Sequence, residues 1–201
     1  METMKNPPTL KLVAGLDEAG RGSWAGPVVA AAVILPEKIH LPGLNDSKLV
    51  TEKKREELFA KIIKSCPHGI GTASHEEVDQ WGLLHATFLA FKRALEQLNQ
   101  RPEELWIDGR DKFQFGIPHV SVIKGDRTYR CIAAASILAK VTRDHLMIEW
   151  AGHYPDYGFE EHKGYGTEQH QAALRRLGPS AIHRKTYAPL LHLKWAQEAF
   201  L

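Results

Sequence analysis

Near the start of the chain an apolar run, Leu12-Val13-Ala14-Gly15-Leu16, leads into two adjacent carboxylates, Asp17 and Glu18. A glycine-flanked arginine, Gly20-Arg21-Gly22, follows at once. Carboxylate oxygens are the ligands that hard divalent cations such as Mg²⁺ and Mn²⁺ prefer. Glycines let backbone approach a ligand closely, and a guanidinium matches the geometry of phosphate. The pattern points to a divalent cation held beside a phosphate. Two more acids sit in similar settings: Asp108 follows Leu105-Trp106-Ile107, and Asp126 follows Val120-Ser121-Val122-Ile123-Lys124-Gly125. Each acid is read as closing an apolar strand, and ligands gather at strand ends in open α/β sheets. A single such aspartate is ordinary turn chemistry, whereas three exceed what turns require.

Bulk properties narrow the class. The chain has 201 residues, of which 43% are hydrophobic, enough to fill the core of one domain. No stretch of about 18 apolar residues marks a transmembrane helix, and the N-terminus lacks the apolar core of a signal peptide. Cys66 and Cys131 are far apart, form no metal-ligand spacing, and are read as buried reduced thiols of a cytoplasmic protein. The net charge is +2, but residues 162–194 hold six Lys or Arg, four histidines and one acid. That segment suits either a polyanion-binding surface or an ordinary solvated helix face.

The elements that must position these residues follow from periodicity. Residues 11–16 read as a buried strand, and Val28-Val29-Ala30-Ala31-Ala32-Val33-Ile34-Leu35 as a second, stopped by Pro36. Gly20, Gly22 and Gly26 superficially resemble a dinucleotide fingerprint, but that motif needs a helix after the glycines, and a β-branched run follows instead. Thr51 caps a helix to about residue 65, and residues 70–73 form a short third strand. Ser74-His75-Glu76-Glu77 has the capping-box pattern, and Leu84, Phe88, Phe91, Leu95 and Leu98 make one helical stripe. Residues 131–150 form a helix on which Ser136, Lys140 and Arg143 share a polar face, either a phosphate contact line or plain surface. Residues 153–167 read as a loop whose Tyr154, Tyr157 and Tyr165 offer stacking platforms, and residues 168–177 and 190–200 read as helices.

Several motifs in this order resemble the ribonuclease HII family, the type 2 branch of the ribonucleases H. They are Asp17-Glu18-Ala19-Gly20-Arg21-Gly22 with Gly26-Pro27-Val28-Val29, Leu44-Asn45-Asp46-Ser47-Lys48, Ile107-Asp108-Gly109 and Lys124-Gly125-Asp126. They continue with Ala134-Ala135-Ser136-Ile137-Leu138-Ala139-Lys140-Val141-Thr142-Arg143-Asp144, Tyr157-Gly158-Phe159, His162-Lys163-Gly164-Tyr165 and His183-Arg184. Ser23, Leu49 and the pair Thr186-Tyr187 depart from the family's common residues.

The resemblance implies an α/β ribonuclease H-like fold, a five-stranded mixed sheet flanked by helices with a small helical C-terminal part. It implies a catalytic domain over 11–150 and C-terminal loop and helices over 151–201 that help bind substrate; residues 1–10 are themselves read as a disordered lead-in. The implied activity is endonucleolytic cleavage of RNA in RNA/DNA hybrids and of single ribonucleotides embedded in duplex DNA. The cut falls 5′ to the ribonucleotide and leaves 3′-hydroxyl and 5′-phosphate ends. Asp17, Glu18, Asp108 and Asp126 match the four catalytic, metal-binding acids, with Asp144 as the competitor for the fourth place. Gly20, Arg21 and Gly22 match the loop that reads the ribose 2′-hydroxyl, and Tyr165 the tyrosine at the RNA–DNA junction. Asn45, Ser47, Lys48, Ser136 and Lys140 match positions near the phosphates. Two divalent ions, Mn²⁺ or Mg²⁺, are the implied cofactors; such a pair activates a water and stabilises the leaving oxygen. The C-terminal Gln197-Glu198-Ala199-Phe200-Leu201 resembles short peptides that dock on sliding clamps, or it is the last turn of an amphipathic helix. A monomer is expected. A different metal-dependent nuclease or phosphatase, and a hybrid-binding protein without catalysis, are the competing readings.

Overall fold

The computed structural model describes residues 4–7 and 11–192. Five strands form one sheet: β1 (Val13–Ala19), β2 (Val28–Ile34), β3 (His68–Ala73), β4 (Glu104–Asp108) and β5 (His119–Val122). Their order is β3-β2-β1-β4-β5. The pairs β1–β2 and β2–β3 are antiparallel, and β1–β4 and β4–β5 are parallel. The sheet is therefore mixed, and β1 lies at its centre. The register sets Leu16 against Ile107 and Asp108 against Val122, so Asp17 and Asp108 emerge at the same end of neighbouring strands.

Helices cover both faces. They are α1 (Glu52–Ser65), α2 (His75–Trp81), α3 (Leu83–Glu96), α4 (Gly125–Thr128), α5 (Arg130–His153), α6 (Phe159–His162), α7 (Glu168–Leu177) and α8 (Ala188–Leu191). Strand alternation sorts the core. Ala14, Leu16, Val28, Ala30 and Ala32 pack with Ala86, Ala90, Phe91 and Ala94 of α3. Ala31 and Val33 pack on the opposite face with Ala133, Ala134, Ile137 and Leu138 of α5 and with Leu58 and Ile62 of α1. Small residues bring backbones close. A Cβ on Gly15 would lie 2.2 Å from the Cys131 carbonyl carbon, and one on Gly71 would lie 2.2 Å from the Ala90 oxygen. Thr51 caps α1 and Ser74 with Glu77 makes a capping box at α2, both as the side-chain types dictate.

Some sequence expectations shift. Of the α3 stripe, Phe91 is buried and Phe88, Leu95 and Leu98 pack against the same core, with Ala86, Ala90 and Ala94 filling in beside them, while Leu84 is 54% exposed. The segment 153–167 is not a plain loop: α5 runs to His153, and a 3₁₀ turn (Pro155–Tyr157) and α6 follow. Lys5, within the expected disordered lead-in, exchanges backbone bonds with the α4–α5 junction, donating to Thr128 O at 2.8 Å and accepting from Arg130 N at 3.0 Å. Of the expected helix over 190–200, Leu190 and Leu191 belong to α8 and His192 caps its end, and residues 193–200 lie outside the described residues. Cys66 and Cys131 are free and buried, and burial pushes their thiols up to about 11 and about 12. Among the described residues no helix is long and apolar enough to cross a membrane.

Candidate active site

The ends of β1 and β4 open into a cleft of about 420 Å³. Its lining includes Asp17, Glu18, Gly20, Arg21, Gly22, Ser47, Lys48, Asp108, Asp126, Ser136, Lys140 and Tyr165. One carboxylate oxygen from each of Asp17, Asp108 and Asp126 lies within 4.8 Å of the others. Asp17 sits on the α5 face of β1, two residues before the strand ends, rather than at its last position. Asp126 does not end a strand either. β5 stops at Val122, Lys124 turns the chain through a left-handed conformation (φ 56°), and Asp126 opens α4. Asp108 directs this turn, since its Oδ1 accepts from the Gly125 N–H at 2.7 Å and the Asp126 N–H at 3.4 Å. One acid thus holds the backbone of another.

Crowding raises the proton affinity of these groups. Burial, then the Glu18 and Asp108 charges, hold the Asp17 carboxyl well above the usual range. Burial, with the Asp108 and Asp46 charges, lifts Asp126 to about 6. Glu18 is pushed to about 7, chiefly by burial, and Arg21 opposes the shift. Glu18 stands apart from the three-acid cluster because adjacent strand residues face opposite ways. Its carboxylate accepts from Arg21 Nη1 at 3.2 Å, and that same nitrogen donates to Asp111 at 2.6 Å.

The basic and polar residues divide. Lys48, Lys140, Ser47, Ser136 and Tyr165 reach the cleft, and Ser136 Oγ donates to Ser47 Oγ at 2.9 Å. Lys140 Nζ lies 2.8 Å from Asp144 and 5.7 Å from the Tyr165 ring centre. That pairing spends Asp144 on Lys140, so it does not join the acid cluster. Asn45 is not among the cleft's lining residues, and its Oδ1 accepts from the Asp46 N–H at 2.9 Å.

Arg143 is a correction. It is fully buried and donates to Pro27 O, Ala25 O, Lys163 O and Ser23 Oγ, so it pins the loop between β1 and β2 instead of extending a phosphate contact line. Within the basic segment near the C-terminus, His162, His170, His183 and Arg184 are buried, while Arg175, Arg176 and Lys185 stay exposed. Tyr157 is buried, packs on Phe159 and donates to Gly178 O at 2.7 Å, so it offers no free stacking face, and Tyr154 is half-buried at right angles to both rings. Sequence reasoning missed Asp111, the Arg184 anchor, and the buried Asp46, whose Oδ2 lies 3.0 Å from Arg127. Asp111, three residues past Asp108, carried a signal only as an acid close to another acid.

The combination of strand-borne acids, a glycine-arginine loop and a lysine-bearing helix matches a known architecture. A family model described as Ribonuclease HII matches residues 14–190. The chain belongs to the ribonuclease HII family. Its activity is that of a ribonuclease H, an endonuclease of the hydrolase class. The Ribonuclease HII of Desulfitobacterium hafniense (strain Y51) is 54% identical over 179 residues, covering 89% of this chain and 69% of that protein. The crystal structure of the ribonuclease H2 from Pyrococcus horikoshii OT3 superposes with a TM-score of 0.76 at 27% identity, covering 90% of this chain and 96% of that one. A chain from the PCNA:RNase HII complex of Archaeoglobus fulgidus gives 0.75 at 26% identity, covering 88% and 95%. The fold of this ribonuclease HII family member is therefore ribonuclease H-like, α/β, with helices on both faces of the mixed sheet.

Proposed function

We propose that the chain cleaves the RNA strand of RNA/DNA hybrids and single ribonucleotides embedded in duplex DNA, on the 5′ side of the ribonucleotide, leaving 3′-hydroxyl and 5′-phosphate ends. The observation that carries this reading is the convergence of Asp17, Asp108 and Asp126 beside the Gly20-Arg21-Gly22 loop. The donor set fits a hard divalent cation: it is all oxygen, Asp17 and Asp126 are buried and Asp108 half-buried, and its own repulsion holds protons that a cation would displace. Asp17, Asp108 and Asp126, with Glu18 alongside, would hold two ions, Mn²⁺ or Mg²⁺. When bound, such ions lower the pKa of a water and stabilise charge on phosphate oxygens.

The chain's own residues supply the rest. Lys48 and Lys140 bring positive charge to the rim for the substrate backbone. Ser47 and Ser136 offer hydroxyls, and Tyr165 offers a ring to the sugar beside the cleaved bond. The glycine loop approaches the ribose, and the 2′-hydroxyl is the group by which RNA differs from DNA. Arg21, held between Glu18 and Asp111, keeps the Glu18 carboxylate at the cleft wall. Residues 151–192 contribute to binding through Tyr165, and the protein acts as a monomer.

The test is cleavage of a DNA duplex carrying one ribonucleotide, with Mn²⁺, Mg²⁺ or EDTA. Wild type is expected to cut 5′ to the ribonucleotide only with metal, and Asp17→Asn is expected to lose the activity. Cutting of an all-DNA duplex would instead identify a general nuclease, and binding of the duplex with no cutting under any metal a non-catalytic protein. A sliding clamp is proposed as a partner, supported by the PCNA complex of the Archaeoglobus protein. The peptide that would dock, residues 197–201, lies outside the described residues. Unchanged clamp binding after its deletion would refute this partner site.

A further inference from the structure

The direction of the Gly20-Arg21-Gly22 backbone is set by a residue from the far end of the chain. Arg184 is fully buried, and its guanidinium donates to Gly20 O at 2.7 Å, to Arg21 O at 2.9 Å, and to Gly26 O at 2.9 Å and 3.1 Å. Ser23 Oγ donates to the same Gly20 oxygen at 2.8 Å. The Tyr187 hydroxyl donates to Arg21 O at 3.3 Å. Burial, and then the neighbouring buried Arg143 guanidinium, disfavour the Arg184 charge.

Peptide geometry gives the arrangement a consequence. The described peptides include no cis bonds. In a trans peptide the C=O of one residue and the N–H of the next point in opposite directions. With the Gly20 and Arg21 oxygens drawn toward Arg184, the N–H groups of Arg21 and Gly22 point away from it. Neither N–H donates to any acceptor among the described residues. Both residues line the cleft, and a Cβ on Gly22 would meet nothing within 4 Å, so this side of the loop is open.

We infer that Arg184 is a positioning residue for ribose recognition: by capturing two successive carbonyls it turns two successive N–H donors into the cleft, toward an oxygen of the substrate's ribonucleotide. The inference rests on the proposed cleavage at ribonucleotides. Arg184 touches no substrate and acts through the loop backbone. Ser23, the departure from the family's common residue, takes part by bridging Gly20 O and Arg143.

The experiment compares wild type, Arg184→Lys and Ser23→Ala on a duplex with one ribonucleotide in Mn²⁺, with the all-DNA duplex as competitor and thermal melting as a check of folding. The ratio of kcat/KM on the ribonucleotide duplex to the inverse inhibition constant of the all-DNA duplex reads discrimination. Arg184→Lys is expected to lower that ratio by about tenfold and Ser23→Ala by about threefold, each leaving competition by all-DNA nearly unchanged. Equal loss on both duplexes, or a change in melting temperature alone, would overturn the inference. Should Arg184→Lys fail to fold, Ser23→Ala decides: a lowered ratio supports the inference and an unchanged ratio overturns it. A wild-type enzyme that does not distinguish the two duplexes would overturn the proposed function itself, before any variant is made.

Discussion

Asp108 has two opposed roles, and the balance between them is measurable. It stabilises the β5–α4 turn by accepting from Gly125 N, and it repels Asp17 and Asp126. An Asp108→Asn side chain keeps the accepting oxygen and loses the charge. In EDTA at neutral pH this variant is expected to melt higher than wild type, by about 2–4 °C for each 1 kcal/mol of relieved repulsion. A lower melting temperature would mean that the turn depends on the charge itself. The pH dependence has a definite sign. The folded-state pKa values of Asp17, Glu18 and Asp126 are raised, to about 7 for Glu18 and about 6 for Asp126. Across this window the folded state binds more protons than the unfolded chain, so these acids make metal-free stability fall as pH rises from about 4 to about 7. Mn²⁺ or Mg²⁺ is expected to flatten that fall, because a bound cation replaces the protons. Melting curves across pH, with and without metal, check it.

Among the elements, glycine has two distinct uses. Gly71 in β3 lies against α3, where a Cβ would come 2.2 Å from Ala90 O and 2.4 Å from Ala94 N. Backbone atoms cannot yield as a flexible side chain can, so Gly71→Ala is expected to cost about 1–3 kcal/mol. Gly152 lies near the end of α5, where a Cβ would meet nothing within 4 Å. Gly152→Ala is expected to stabilise by about 0.4–1 kcal/mol through lower unfolded-chain entropy. Urea denaturation of the pair separates the two uses: a gain at position 71 or a loss at position 152 would contradict the packing described.

For the whole molecule, the C-terminal segment is what holds the Gly20-Arg21-Gly22 loop, and a histidine network holds that segment. Ser180 N donates to His183 Nδ1 at 2.9 Å, so the His183 Nε2–H donates to His170 Nε2 at 2.9 Å, and the His170 Nδ1–H donates to Tyr165 O at 3.0 Å. His162 stacks on His170 with ring centres 4.3 Å apart. Each ring is neutral in this pattern. Burial, then neighbouring histidine charge, lowers His170 to about 4 and His183 to about 3. Below about pH 6.5 the unfolded chain binds protons these rings refuse, so their effect on stability turns unfavourable as pH falls toward 4 and 3. Trp24 lies against His170 at 5.6 Å and reports the packing. Histidine NMR is expected to show His170 and His183 untitrated at pH 5.5, with Trp24 fluorescence changing only at lower pH. Titration of either ring near pH 6.5 would contradict the network.

Local chemistry was legible from the residues alone. Asp17, Glu18, Asp108 and Asp126 were identifiable because acids that follow apolar runs break the pattern a core strand requires. The strands, the capped starts of α1 and α2, and the rejection of a dinucleotide site followed from periodicity and from the strand after the glycines. Arg143 and Arg184 were not legible. A helical face that reads as polar in one dimension is buried when a second segment folds over it, and only the tertiary structure brings that segment across. The same holds for Asp126, whose place on α4 depends on a left-handed turn at Lys124 and a hydrogen bond from Gly125 to Asp108, 17 residues back. The sequence by itself determined which groups are candidates for the chemistry, since side-chain type and short-range spacing suffice to single them out. The tertiary structure decided which charges face the cleft and which are anchors, because burial and hydrogen-bond partners come from contacts between segments as distant as Gly20 and Arg184.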